Sequence, residues 1–228
     1  MRKIEFYFEG MKMVSLTAAV VGTGFIGPVH AEALKRAGVQ VRGILGSSPE
    51  KSRATAGSLR LDVAYDSYDT LIADPAVHAV HITTPNKDHL DLTRRALAAG
   101  KHVICEKPLA MNTRETAELV ALAKTHPNLV TAVNYNIRFY PLLHHARDLV
   151  QSGELGQVYA VRGGYIQDWL LFDTDWNWRL LTDEGGDLRA IGDIGTHWMD
   201  LTGFVTGLKV EALLADLATF IPQRKKPR

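Results

Sequence analysis

The run from Ala18 to His30 constrains this chain most, because an apolar strand must turn on Gly22, Gly24 and Gly27 straight into a helix. Glycine permits so tight a turn, and the helix that leaves it points backbone N–H groups outward, an arrangement suited to a dinucleotide pyrophosphate. Read from spacing alone, three glycines over six residues could equally be a tight turn without a ligand. The apolar strand before them and the helical pattern Val29, Ala33, Leu34 and Ala37 after them favour NAD or NADP.

Strand-like and helix-like patterns alternate through the first 135 residues, which argues for βαβ units and a parallel sheet. Strands are predicted at 16–21, 40–45, 78–83, 102–106 and 129–134, with a weak short one near Val63. Helices are predicted at about 26–37, 49–58, 68–73, 87–99 and 113–125, the last capped by Asn112 or Thr113. Beyond residue 136 the pattern changes to a helix at 141–151, a long strand from Val158 to about Trp169 and a loop holding Trp169, Phe172, Trp176 and Trp178. A helix from Leu188 to Val205, ended by Gly207, and an alternating strand from Val210 to Phe220 follow. The basic tail after Phe220 reads as a solvated end.

With 228 residues, 46% hydrophobic and 22% charged, the chain can bury a substantial core. A formal net charge of +1 gives no field to recruit nucleic acid or a membrane surface, so the expected partner is a small molecule. The single cysteine, Cys105, lies in an apolar run and reads as a small buried hydrophobe, consistent with a reducing cytoplasm. Residues 1–13 are expected to be an extension; the stretch from Met11 resembles a secretory signal but runs directly into the glycine turn. No run reaches the roughly 18 consecutive apolar residues needed to cross a bilayer.

Ligand sites in such sheets lie at the carboxyl ends of the strands. Three segments are expected there: Thr83 to His89, Cys105 to Pro108, and Gly192 to Asp200. Asp193, His197 and Asp200 are spaced four and three apart, so one helix face can carry all three. A helix with a polar exposed face would show the same spacing. Pro108 restricts Lys107 to extended geometry and aims its side chain; the alternative is a surface lysine paired with Glu106. The histidines show no persuasive metal-ligand spacing, and no catalytic metal is expected.

The glycine turn, Thr84-Pro85-Asn86 with His89, Glu106-Lys107-Pro108, Tyr135 to Pro141 with Arg138, and Gly185-Gly186 leading to Asp193, His197 and Asp200 resemble the Gfo/Idh/MocA oxidoreductase family, which includes glucose-fructose oxidoreductase and inositol dehydrogenases. The motifs occur in order from about residue 16 to the end of the chain. The resemblance implies an α/β fold: a Rossmann doubly wound parallel sheet at 14–135, then an α+β substrate and oligomerisation domain with a mostly antiparallel sheet at 136–228. It implies Lys107 as catalytic lysine, Asp193 as the carboxylate beside it, His197 as the histidine that exchanges the substrate proton, and a cis peptide before Pro108. Cofactor contacts are expected from Gly22, Gly24, Phe25, Ile26, Gly27, Ser47, Ser48, Lys51, Thr84, Pro85, Asn86, His89, Glu106 and Lys107. Substrate contacts are expected from Asn134, Arg138, Trp178, Arg179, Asp193 and His197. The implied reaction is hydride transfer between nicotinamide and a sugar-like carbon.

Two features depart from the family. No carboxylate stands at the end of the second strand, where an NAD enzyme usually binds its ribose; Ser47, Ser48 and Lys51, with Arg53 in reserve, suit a 2′-phosphate and favour NADP over NAD. Relatives also continue well past Phe220, so the second domain is expected to be incomplete. Two further functions stay open: redox-assisted glycoside cleavage, and a non-catalytic nucleotide or sugar sensor or inactive relative. A homo-oligomer is expected, its copies associating through the C-terminal sheet.

Overall fold

The computed structural model describes residues 16–226, so the expected extension at 1–13 lies outside the described residues. The elements run β1 Thr17–Val21, α1 Ile26–Arg36, β2 Gln40–Leu45, α2 Pro49–Leu59, β3 Val63–Tyr65, α3 Tyr68–Ala73 and β4 Ala79–Ile82. They continue with α4 His89–Ala98, β5 His102–Glu106, α5 Thr113–Thr125, β6 Thr131–Asn134, α6 Pro141–Gln151, α7 Thr182–Gly185 and α8 Thr196–Thr206. The strands take the order β3-β2-β1-β4-β5-β6, that of a Rossmann sheet.

The chain divides into two compact units, one ending at Val80 and the other beginning at His81. In the first, β1 pairs parallel with β2 and β2 with β3. Val20, Val41 and Ile44 of these strands bury against Ala31 of α1 and Ala56 of α2. Gly43 is required where β2 meets β3: a Cβ there would lie 2.4 Å from the Val63 carbonyl oxygen. Helices begin where short polar side chains accept otherwise unpaired N–H groups: Ser48 from Lys51 at α2 and Ser67 from Thr70 at α3.

In the second unit β5 pairs parallel with β6, from Val103 opposite Thr131 to Glu106 opposite Asn134. Asn112 caps α5 by accepting from the Glu115 N–H, while the Glu115 carboxylate accepts from the Met111 N–H. Cys105 is buried, and burial pushes its thiol up to about 12, which matches the expected inert hydrophobe.

Two expectations for the second half change. Val158–Trp169 and Val210–Phe220, patterned as strands, pair with no other segment among the described residues, and β6 is the last strand described. Alternation marks a face, whereas a strand also needs a partner for its N–H and C=O groups. The expected helix from Leu188 to Val205 is present, with a π-helical turn, Ile191–Gly195, set into it before α8. Gly207 ends α8 at φ +74°, as its position after the apolar run predicts.

Candidate active site

The first unit carries the glycine turn. Gly22 has φ +116° and donates its N–H to the Leu45 carbonyl at 2.8 Å, locking the end of β1 to β2. The Gly27 N–H donates to the Gly24 carbonyl at 3.2 Å. A Cβ at Gly24 would meet nothing within 4 Å, so the turn opens onto free space there. Helix α1 has no side-chain cap and no acidic residue in its first turn. An uncapped, acid-free N-terminus behind a bare glycine fits a pyrophosphate. Phe25, 88% exposed, occupies the cap position without capping.

At the end of β2, the Lys51 ammonium donates to the Ser47 hydroxyl at 3.0 Å. Ser48 is committed to capping α2, and Arg53 to Glu50 at 3.0 Å and Asp66 at 3.9 Å. Ser47 and Lys51 therefore remain the polar pair presented there.

The second unit carries the cationic and acid–base groups. β5 delivers Lys107 at its end, and the Lys107–Pro108 peptide is cis, as expected. The Lys107 ammonium donates to the Asp193 carboxylate at 3.0 Å and to its main-chain oxygen at 2.5 Å. Asp193 sits in the π-helical turn and accepts from Arg179 Nε at 3.1 Å through the same Oδ1. Arg179 lies over the Trp178 ring at 4.4 Å. One turn later, His197 is 7% exposed between Tyr135 and Tyr165, at ring separations of 5.7 and 5.9 Å. Its Nδ1 has no hydrogen-bond partner. Burial, then the Lys107 charge, hold its pKa below the ordinary histidine value, so the imidazole is neutral at pH 7 and its lone pair can take a proton.

The structure places other expected site residues differently. Asp200 turns from Lys107 and pairs with Arg138, whose Nε donates to Oδ2 at 3.0 Å and whose Nη2 donates to Oδ1. Asp193, His197 and Asp200 share a helical segment, but Asp193 alone of the two acids meets the lysine. Arg138, expected at the substrate, is thus held to α8. Trp178, expected at the substrate, has the Arg179 guanidinium over its ring. The Asn134 amide donates to the Glu106 carboxylate at 2.5 Å across β5 and β6.

Asn86 and His89, expected at the cofactor, have their side chains engaged within the protein. The Asn86 amide donates to the Gly185 carbonyl at 2.9 Å. His89 is fully buried, with Nδ1 2.8 Å from the Pro108 carbonyl oxygen and Nε2 3.1 Å from that of Thr84. It ties the Thr84-Pro85 segment to the chain just past Lys107. Both residues are drawn inward because unpaired carbonyls in a buried loop are costly.

A cavity of about 620 Å³ in this unit is bordered by Arg179 and Asp193. Sequence reading did not single out Trp169 for a role there, nor Arg189 and Arg224, which also line it. Their only signal was an aromatic-rich loop and a basic tail. Among the described residues, no group of three His, Cys, Asp or Glu side chains could hold a metal ion, and no helix is long and apolar enough to cross a membrane.

Comparison with known proteins bears on these groups. Residues 16–135 match the model of an oxidoreductase family with an NAD-binding Rossmann fold, and residues 143–227 match the Gfo/Idh/MocA C-terminal domain. The chain is 32% identical over 222 residues to levoglucosan dehydrogenase of Pseudarthrobacter phenanthrenivorans, covering 93% of this chain and 56% of that protein. It is 29% identical to UDP-N-acetylglucosamine 3-dehydrogenase of Acidithiobacillus ferrooxidans, covering 90% and 70%. A solved levoglucosan dehydrogenase in complex with NADH and levoglucosan superposes with a TM-score of 0.86 at 32% identity, covering 92% of this chain and 58% of the other. The chain thus spans little more than half the length of that dehydrogenase. With both family domains matched in order along it, the chain belongs to the Gfo/Idh/MocA family of oxidoreductases.

Proposed function

We propose that this chain is an NAD(P)-dependent dehydrogenase or reductase that exchanges a hydride between nicotinamide and a CH–OH carbon of a sugar, polyol or related hydroxy compound. The observation that carries the reading is the pairing of Lys107 with Asp193 at 3.0 Å, within electrostatic reach of a buried His197 whose Nδ1 has no partner. The bare Gly24 turn and the uncapped start of α1 fit the dinucleotide.

When bound, the nicotinamide supplies the hydride acceptor or donor. His197, neutral at pH 7, accepts the substrate hydroxyl proton on a ring nitrogen as the C–H bond breaks. Lys107 has three N–H donors, of which two go to Asp193. The third can donate to the substrate oxygen, stabilising the negative charge that develops there. Asp193 and Arg179 fix the ammonium and balance its charge. The reverse direction returns the proton from His197 to the oxygen.

In this reading residues 14–135 hold the cofactor and residues 136–228 hold the substrate and contacts between copies. NADP is favoured over NAD by the Ser47–Lys51 pair and by Glu50 being turned to Arg53, which leaves no free carboxylate for a ribose. Fluorescence titration with NADPH and NADH tests the choice; tighter NADH binding overturns it. Steady-state assays with a sugar and polyol panel test the reaction. Lys107→Ala and His197→Ala are each expected to lower kcat at least about 100-fold, and wild-type turnover in either variant would sink the assignment.

A further inference from the structure

The 620 Å³ cavity of the second unit has an unusual charge balance. Its lining includes Trp169 and Trp176, the three arginines Arg179, Arg189 and Arg224, and a single carboxylate, that of Asp193. Asp193 already serves two cations, Lys107 at 3.0 Å and Arg179 at 3.1 Å. The other two arginines have neutral partners. Arg189 donates to the Leu180 carbonyl and, at 2.9 Å, to the Thr182 hydroxyl. Arg224 donates to the carbonyls of Leu170 at 2.8 Å, Phe172 at 2.7 Å and Asp175 at 3.3 Å.

Carbonyl and hydroxyl dipoles orient a guanidinium without cancelling its charge. The nearby acids do not supply the difference. Asp173 is paired with Lys225 at 3.0 Å, and the Asp175 carboxylate, whose Oδ2 accepts from the Phe172 N–H at 2.7 Å, does not line the cavity. Among the described residues, neither Arg189 nor Arg224 forms an ion pair. The wall therefore carries surplus positive charge held in place by the backbone, next to indole surface. Like charges gathered along one concave wall focus their field on an approaching anion. Arginine is also suited to the paired oxygens of a carboxylate or phosphate.

We propose that this cavity binds the substrate and selects a sugar or polyol bearing an anionic group, a carboxylate or a phosphate. The carbon skeleton lies against Trp169 and Trp176, and the anion meets Arg189 and Arg224. Identifying the ligand as the substrate rests on the oxidoreductase reading; the charge surplus does not.

The test is calorimetric titration of the chain with D-glucuronate, D-glucose 6-phosphate and D-glucose, at low and at high salt. At least one anion is expected to bind 10-fold or more tighter than glucose, with the advantage reduced by salt. Preference for one anion over the other identifies the group. Arg189→Gln and Arg224→Gln are expected to lower that advantage, while Arg189→Lys and Arg224→Lys retain part of it because the charge remains. Thermal melting checks that the variants fold, and the wild-type comparison is decisive by itself. Equal or tighter binding of glucose, or binding of none of the three ligands, overturns the proposal. So does an anion preference that survives both folded Gln variants. The two readings fail separately: selective anion binding without turnover of any substrate by NAD(P) sinks the oxidoreductase, whereas turnover of neutral sugars without anion preference sinks only this cavity assignment.

Discussion

At Gly24 an added Cβ would meet no protein atom within 4 Å but would project from the glycine turn proposed to hold the dinucleotide. Gly24→Val is therefore expected to leave the melting temperature close to wild type while weakening NADPH or NADH binding at least about 10-fold, about 1.4 kcal/mol, as measured by fluorescence titration. His89 is the opposite case, a residue whose sequence position suggested a ligand and whose surroundings give it a structural task. A neutral imidazole has one N–H and can donate to only one of its two facing carbonyls. Burial holds the pKa of His89 below the ordinary value of 6.5, and burial with the Lys107 charge does the same for His197. As pH falls below about 6.5 the unfolded chain takes up protons that the native state refuses, so these groups make stability fall with pH. Urea denaturation from pH 7.5 to 5 is expected to show that decline, and the slope should be smaller in His197→Asn. Stability that rises on acidification through this range would contradict the burial of both rings.

At the scale of elements, the Rossmann strands and helices were legible because their signals are local. Alternation lies within a strand, and a cap acts over three residues. Asn112 shows this directly: it accepts from the Glu115 N–H at 3.0 Å while its amide donates to the Glu115 carboxylate at 2.9 Å. Asn112→Ala is expected to cost about 1 kcal/mol in chemical denaturation, with little effect on cofactor affinity. Val158–Trp169 and Val210–Phe220 carried a strand pattern of equal clarity, but no strand partner lies beside either among the described residues. The π-helical turn at Ile191–Gly195 was illegible for a related reason. Its backbone bonds skip one residue further than those of an α-helix, and the sequence there still reads as ordinary helix.

For the molecule as a whole, the segment after α8 exposes large apolar side chains, with Leu213 at 77%, Leu214 at 97% and Leu217 at 67%. Contiguous apolar surface of this kind favours association. The chain is expected to self-associate at micromolar concentration in sedimentation velocity, and Leu214→Lys to shift it toward smaller species. A monomer at all concentrations would contradict the expected contacts between copies. The sequence by itself determined the elements of the Rossmann sheet and the glycine turn, because caps, turns and periodicity act between neighbours, whereas Lys107, Asp193 and His197 stood out only through the family resemblance. Tertiary structure decided which of them meet. Lys107 and Asp193 lie 86 positions apart, and their bond exists only once burial has closed that length of chain. The same closure sent Asp200 to Arg138, turned His89 inward and set Arg189 and Arg224 along one cavity, since each polar group settles on whichever partner folding brings within reach.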